Sequence, residues 1–260
     1  MATSIRQTKT WMNLNRLKLN ADKTEVILFG SKNRLSDLSN LKFDIGDMEF
    51  PPTSVVKNLG VLLDSGLTFI KQVDDLCRKC YCHLKNIGSI RHVLTQDSAS
   101  ALARSLILSR LDYCNSLLTG LPKNQLNRLQ RIQNLTARMV TRSPYHCHIT
   151  PVLQTLHWLP VCARIDFKIL CLTYQCVSGE APGYLCKLIQ RYIPKRQLRS
   201  NDLNQLVVPK WKLATFGQRA FAVAAAERWN SLPVELRFVT SLSIFKSRLK
   251  THLFKIHYRN

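Results

Sequence analysis

The chain has 260 residues, 45% of them apolar, and 38 Lys/Arg against 16 Asp/Glu give it a net charge of +22. That apolar share excludes a disordered polymer, and the length suffices for a real core in one large or two small domains. No apolar run is long enough to cross a bilayer, no secretory leader opens the chain, and nine cysteines show no disulfide-like framework, so the expectation is an intracellular protein of nucleus or cytoplasm with reduced thiols.

Residues 3–14 read as a helix. Asn20, Ala21 and Asp22 then punctuate a tight turn, and 24–29 is a short apolar, partly β-branched run closed by Gly30, which predicts a strand. Residues 43–50, FDIGDMEF, alternate about Gly46-Asp47 and predict a hairpin, broken off by Pro51-Pro52. A second strand is expected over 55–63, with Gly60 giving a bulge or a close backbone approach.

These blocks carry a resemblance. WMNLNRLKLNADKTEVILFG at 11–30 and VVKNLGVLLDSGLTF at 55–69 are similar to the end of the palm of a non-LTR, LINE-type (jockey-like) retrotransposon reverse transcriptase. The likeness continues through SRLDYCNSLLTGLP at 109–122, LQRIQN at 129–134, HITPVLQTLHWLPVCARIDFKIL at 148–170, RAFAVAAAERWNSLP at 219–233 and FKSRLKTHLF at 245–254. In that family the Leu-Gly-Val hairpin is the primer grip, which implies that role for Leu59, Gly60 and Val61. The family also uses a lysine to protonate the leaving pyrophosphate, and the resemblance lends Lys23 that general-acid role. A surface lysine beside a turn is the plain alternative. The family's two-metal chemistry needs an Asp-Asp turn that would lie before Trp11. Asp74-Asp75 is the chain's own Asp-Asp pair and fits a helix instead. The expectation is therefore no polymerase activity in this chain alone and no cofactor for it, with Mg2+ belonging to the complete parent enzyme.

Residues 70–94 form a patterned helix. Val73, Leu76, Cys77, Cys80, Tyr81, Leu84 and Ile87 share about 140° of a wheel at 100° per residue. Cys77 and Cys80 have a zinc-like spacing, with His83 or Cys147-His148 as imaginable partners. They fall inside the apolar stripe, where cysteine acts as a small hydrophobe, and the second pair lacks recognisable spacing, so no metal is expected. A further helix is expected over 95–118, capped by Thr95 or Asp97 and closed at Gly120. The family places its thumb here, against the primer–template duplex.

The next helix, 123–142, has Leu126, Leu129, Ile132, Met139 and Val140 on one side. Arg128, Arg131, Arg138 and Arg142 gather within about 80° of the other, with no acid in the helix. Such a row suits successive phosphates, because each guanidinium forks onto phosphate oxygens. An ordinary exposed basic face is the competing reading. The charge balance points the same way as the row: residues 1–70 hold nine Lys/Arg and seven Asp/Glu, and residues 71–260 hold 29 and nine. Self-repulsion of that size suits a polyanionic partner.

Beyond His146, Cys147 and His148, Thr150 reads as an N-cap with Pro151 opening a short helix to 156. Trp158-Leu159-Pro160 turns into a longer helix over 161–178, with Ile165, Ile169, Leu172 and Cys176 inward and Gly179 as the stop. A short helix is expected at 181–191. Residues 187–219 then hold eight Lys/Arg, among them Lys195, Arg196 and Arg199, and one acid, Asp202. Tyr192, Trp211 and Phe216 are interleaved, which suits a single strand as well as a basic surface loop. An Ala-rich helix over 217–229 ends at Ser231-Leu232-Pro233. Ser243 caps a last helix, 244–254, with Phe245, Leu249 and Leu253 inward and Lys246, Arg248 and Lys250 outward.

The expected fold is mainly α with a small α+β N-terminal part: a palm remnant at 1–70, a helical thumb-like region at 71–144, and a helical basic region at 145–260. The expected function is nucleic-acid binding by the C-terminal part of an RNA-directed DNA polymerase. Its partners would be an RNA/DNA primer–template duplex and, secondarily, single-stranded RNA, with no membrane. A free-standing helical binding or scaffold protein, or an inert relic, is the alternative.

Overall fold

The computed structural model describes residues 2–18, 20, 23–38, 41–45, 48–194 and 203–258. The protein is mainly helical with a few short strands, and it divides into two compact units, Met1–Gln72 and Val73–Asn260.

In the first unit, α1 (Ala2–Leu14) is followed by β1 (Val26–Ile27), α2 (Lys32–Asp37), β2 (Phe43–Ile45) and β3 (Met48–Phe50). β2 and β3 pair antiparallel with Phe43 opposite Phe50, as the alternation predicts. The strand expected over 24–29 shrinks to β1, which runs parallel to β4 (Pro52–Thr53). Two prolines at 51 and 52 bring no N–H donors, so the ladder cannot lengthen on that side. The expected single strand over 55–63 is instead a hairpin of β5 (Val55–Asn58) and β6 (Val61–Asp64), with Asn58 opposite Val61. Leu59 and Gly60 form its two-residue turn with φ +45° and +85°. Positive φ at both central residues is the primed turn, whose twist matches the strands it joins.

α3 (Ile70–Ile90) begins just after Asp64, whose carboxylate accepts from the N–H groups of Thr68 (2.8 Å) and Phe69 (2.7 Å). An anion there also complements the positive helix start. Of the expected stripe, Val73, Leu76, Cys77, Cys80 and Ile87 are buried, whereas Tyr81 is 47% exposed.

The helix expected over 95–118 is broken into pieces. Thr95 Oγ1 accepts the Ser98 N–H at 3.2 Å, so Thr95 and not Asp97 is the cap of α4 (Gln96–Ala103). A π-helical turn, Arg104–Leu108, leads into α5 (Ser109–Asp112). Cys114 at φ +52° then turns the chain into a 3-10 segment, Asn115–Leu118. α6 (Lys123–Thr141) and α7 (Ile149–Thr155) follow. The start of α7 lies two residues earlier than expected: His148 is at the cap position, and Pro151 falls in the first turn, where a missing N–H costs nothing.

α8 (Val161–Val177) is the central rod, buried on most sides, and it packs against α6, α10 (Phe221–Asn230) and α12 (Leu242–Tyr258). Its core joins Tyr174, Trp229 and Phe245, with the Tyr174 and Phe245 rings stacked at 4.6 Å. The regions 71–144 and 145–260 therefore pack into one unit from Val73 onward, because α8 belongs to both contact sets. The helix expected at 181–191 reduces to α9 (Gly183–Cys186) and turns, and α11 (Val234–Arg237) follows Pro233. α12 runs past the expected 244–254 at both ends, with Phe245, Leu249 and Leu253 buried.

Candidate nucleic-acid interface

The arginine row of α6 is largely spent inside the protein. Arg128 donates to Asp74 Oδ1 at 2.6 Å and to Gln125 Oε1 at 3.1 Å, and its bond to Asp74 raises its pKa above the ordinary value. Arg138 donates to the carbonyls of Pro144 (2.5 Å) and Cys147 (2.7 Å), with its guanidinium 5.5 Å from the Tyr145 ring centroid. Arg142 occupies the left-handed position that ends α6, φ +57°, a place that favours glycine. Its guanidinium reaches the Arg91, His92 and Leu94 carbonyls at 3.0, 3.2 and 3.5 Å, just past the end of α3. Arg91 answers by donating to the Met139 and Val140 carbonyls at the end of α6, at 2.8 and 2.7 Å, and to Leu94 O at 2.7 Å. Each helix end is thus capped by an arginine belonging to the other. Burial, and then the nearby Arg142 charge, hold the Arg91 pKa below its ordinary value. Of the row, Arg131 is exposed and has no side-chain partner among the described residues.

Lys195, Arg196 and Arg199 lie outside the described residues. Leu59 is 84% exposed at the tip of the β5–β6 hairpin and Gly60 is exposed beside it, while Val61 is buried. Lys23 is exposed, and its N–H donates to Asn20 O at 3.3 Å. Neither residue of the Asp-Asp pair faces a strand turn: Asp74 holds Arg128, and Asp75 holds Arg78 (2.7 Å) and Lys79 (2.5 Å). Burial alone would raise the Asp75 pKa, but its two cationic partners outweigh it and hold the carboxyl below its usual value.

Cations without an internal partner gather elsewhere. A cleft of about 710 Å³ in the second unit is lined by Arg104 from the π-turn, Lys168 from α8 and Lys250 from α12. Leu108, Trp158 and Phe167 supply apolar wall, and Asp112 in the same cleft is already held by Arg164 through Nε at 2.7 Å and through Nη2. Arg104, Lys168 and Lys250 are exposed and have no side-chain partner among the described residues. Lys246 stands one turn from Lys250, and it and Lys168 both act on Cys171, although burial dominates there and pushes the thiol up to about 11. His157, on the cleft wall, is left-handed at φ +53° and closes α7, its N–H bonding Gln154 O and that of Trp158 bonding Leu153 O. Sequence reading missed Arg104 and Lys168, because the convergence depends on three helices distant in the chain. The available signal was the Lys246/Lys250 spacing on the outer face of α12.

Cys77 and Cys80 are buried, and burial raises both thiols, Cys80 to about 11. At neutral pH they are protonated core side chains, as the apolar stripe implies. Among the described residues no group of three or more His, Cys, Asp and Glu could hold a metal ion, and no helix is long and apolar enough to cross a membrane. Compared with protein-family models, curated proteins and solved structures, the chain matches none.

Proposed function

We propose that this chain is the nucleic-acid-binding C-terminal part of a retrotransposon RNA-directed DNA polymerase, holding a primer–template duplex without itself carrying out polymerisation. The charge balance of residues 71–260 carries this reading: 29 Lys/Arg against nine Asp/Glu. Four of those acids, Asp74, Asp75, Asp112 and Asp166, are already paired with arginine or lysine. A large positive surplus faces outward, and phosphate neutralises it while releasing counterions. The resemblance of its ordered sequence blocks to non-LTR reverse transcriptases supports the same reading, and reduced thiols suit a protein acting in nucleus or cytoplasm.

Contacts of this kind position a duplex and do not read its sequence. Arg131, Arg104, Lys168 and Lys250, without a side-chain partner among the described residues, are among the cations available for it. A second reading, a helical binding or scaffold protein with no polymerase partner, draws on Arg128, Arg138 and Arg142, which serve as internal staples. Titrating a labelled RNA/DNA duplex with the Lys168→Gln/Lys250→Gln variant separates the two. The salt slope should fall by about one for each phosphate contact removed, while Arg138→Gln should leave it alone. If the double variant binds as the wild type does and Arg138→Gln does not, the cleft is not the interface. In primer extension with Mg2+, the chain alone should give no template-dependent product, and any such product would contradict the proposal.

A further inference from the structure

A second cleft, of about 590 Å³, opens between the end of α8, residues 191–193, residues 204–205 and the segment after α11. Its most unusual wall residue is Arg237. This side chain is 6% exposed, and among the described residues it has no carboxylate partner. Nη1 donates to Leu203 O, while Nε is fully enclosed without any acceptor. Nη2 has no partner among the described residues and is not fully enclosed, and Arg237 lines the cleft. Burial holds the Arg237 pKa below its ordinary value, with no anion among the described residues to offset it. An isolated buried cation is among the costlier arrangements a fold can keep, and it is normally paired.

The rest of the wall fits an anion. Arg191 is exposed and donates to Val177 O at 3.0 Å, and among the described residues the lining contains no Asp or Glu. Tyr192 and Phe238 are 53% and 51% exposed at the same cleft, two aromatic faces with nothing stacked on them among the described residues. The size is that of a small-ligand site. We propose that this cleft binds a phosphate group, seated on Arg237 and Arg191, with the organic part it carries lying against Tyr192 and Phe238. A guanidinium can fork onto phosphate oxygens, and an aromatic face accepts any base. Two sources share this chemistry: a free nucleotide, and the terminal phosphate of a single strand. The site does not depend on the duplex-binding reading, since it rests on a buried charge with no carboxylate partner among the described residues and not on overall surface charge.

The test is thermal unfolding of the full chain in inorganic phosphate against chloride of equal ionic strength. At a hundredfold excess over Kd, phosphate should raise the wild-type Tm by roughly 5 °C. Arg237→Met should unfold no earlier than the wild type in chloride, because it removes a buried charge with no carboxylate partner among the described residues, and should lose the phosphate response. Arg191→Gln should keep the fold and weaken the response. If Arg237→Met does not fold, the wild-type guanidinium nitrogen resonances decide, and the Arg237 signals should move on titration with phosphate. Adenosine monophosphate binding more tightly than phosphate identifies a free nucleotide. Preference for a 5′-phosphorylated over an unphosphorylated oligonucleotide identifies a strand end. No wild-type response to phosphate, a response kept in Arg237→Met, or stationary Arg237 resonances overturns the proposal. Duplex binding with no phosphate response would sink the cleft alone, and a phosphate response with no duplex binding would sink the duplex reading alone.

Discussion

The paired arginines at the ends of α3 and α6 make a sharp prediction, because one of them sits where glycine is preferred. Arg91→Ala removes three donors from the carbonyls of Met139, Val140 and Leu94. Hydrogen bonds to a charged group contribute about 1.5–3 kcal/mol net, and carbonyls at helix ends regain some water, so the whole substitution should cost about 2 kcal/mol. In a unit running from Val73 to Asn260, that lowers Tm by roughly 4–8 °C. At Arg142, with φ +57°, two effects oppose each other. Arg142→Ala keeps the left-handed strain and loses contacts to Arg91, His92 and Leu94, and should cost about 1–2 kcal/mol. Arg142→Gly loses the same contacts but relieves strain of about 1 kcal/mol, and should come out within about 1 kcal/mol of the wild type. Thermal and urea unfolding followed by far-UV circular dichroism give all three values. A Tm for Arg91→Ala within about 1 °C of the wild type would refute the mutual capping, and equal stabilities for the two Arg142 variants would refute the left-handed strain at Arg142.

Gly120 has φ +64°, and a Cβ there would lie 2.6 Å from Arg219 Cγ, whose guanidinium holds Thr119 O at 2.9 Å. Gly120→Ala should therefore cost about 1–3 kcal/mol in a urea melt, and a neutral result would mean that the Arg219 contact is not formed. Burial pushes the thiols of Cys80, Cys171 and Cys176 each up to about 11. An unfolded thiol titrates near about 8.5, so the folded state holds these protons longer. The stability they confer is complete below the unfolded pKa and is lost as pH rises through about 11. The urea midpoint should drop across that window, and a Cys80→Ala/Cys171→Ala/Cys176→Ala variant should show a shallower drop. An equal slope in both proteins would contradict the assignment.

The long helices were legible because their stripes are long. α3, α6, α8, α10 and α12 each bury an apolar face that recurs at helical spacing over several turns. Residue pattern alone reads 55–63 as one strand, because alternation looks alike on both sides of a two-residue turn, whereas the Leu-Gly-Val hairpin that the family resemblance implies matches the turn at Leu59-Gly60. Leucine at positive φ is not a residue that marks such a turn. The π-turn at Arg104–Leu108 leaves no compositional trace, since it differs from an α-turn by one hydrogen-bond partner. The arginine row of α6 was correctly placed on one face, yet periodicity cannot say what that face meets. Arg142 finds carbonyls after α3, and Arg138 finds the loop at 144–147, through contacts that tertiary packing creates. Arg237 was invisible for the same reason, as one more basic residue in a basic chain until its burial was known.

The most direct test of nucleic-acid binding is the salt dependence of the full chain's affinity for an RNA/DNA duplex, measured by fluorescence anisotropy. With six or more phosphates engaged, affinity should fall about a thousandfold between 50 and 200 mM salt, on a straight line of log K against log salt. Absence of binding at the lower salt, or an affinity unchanged across the range, would contradict it.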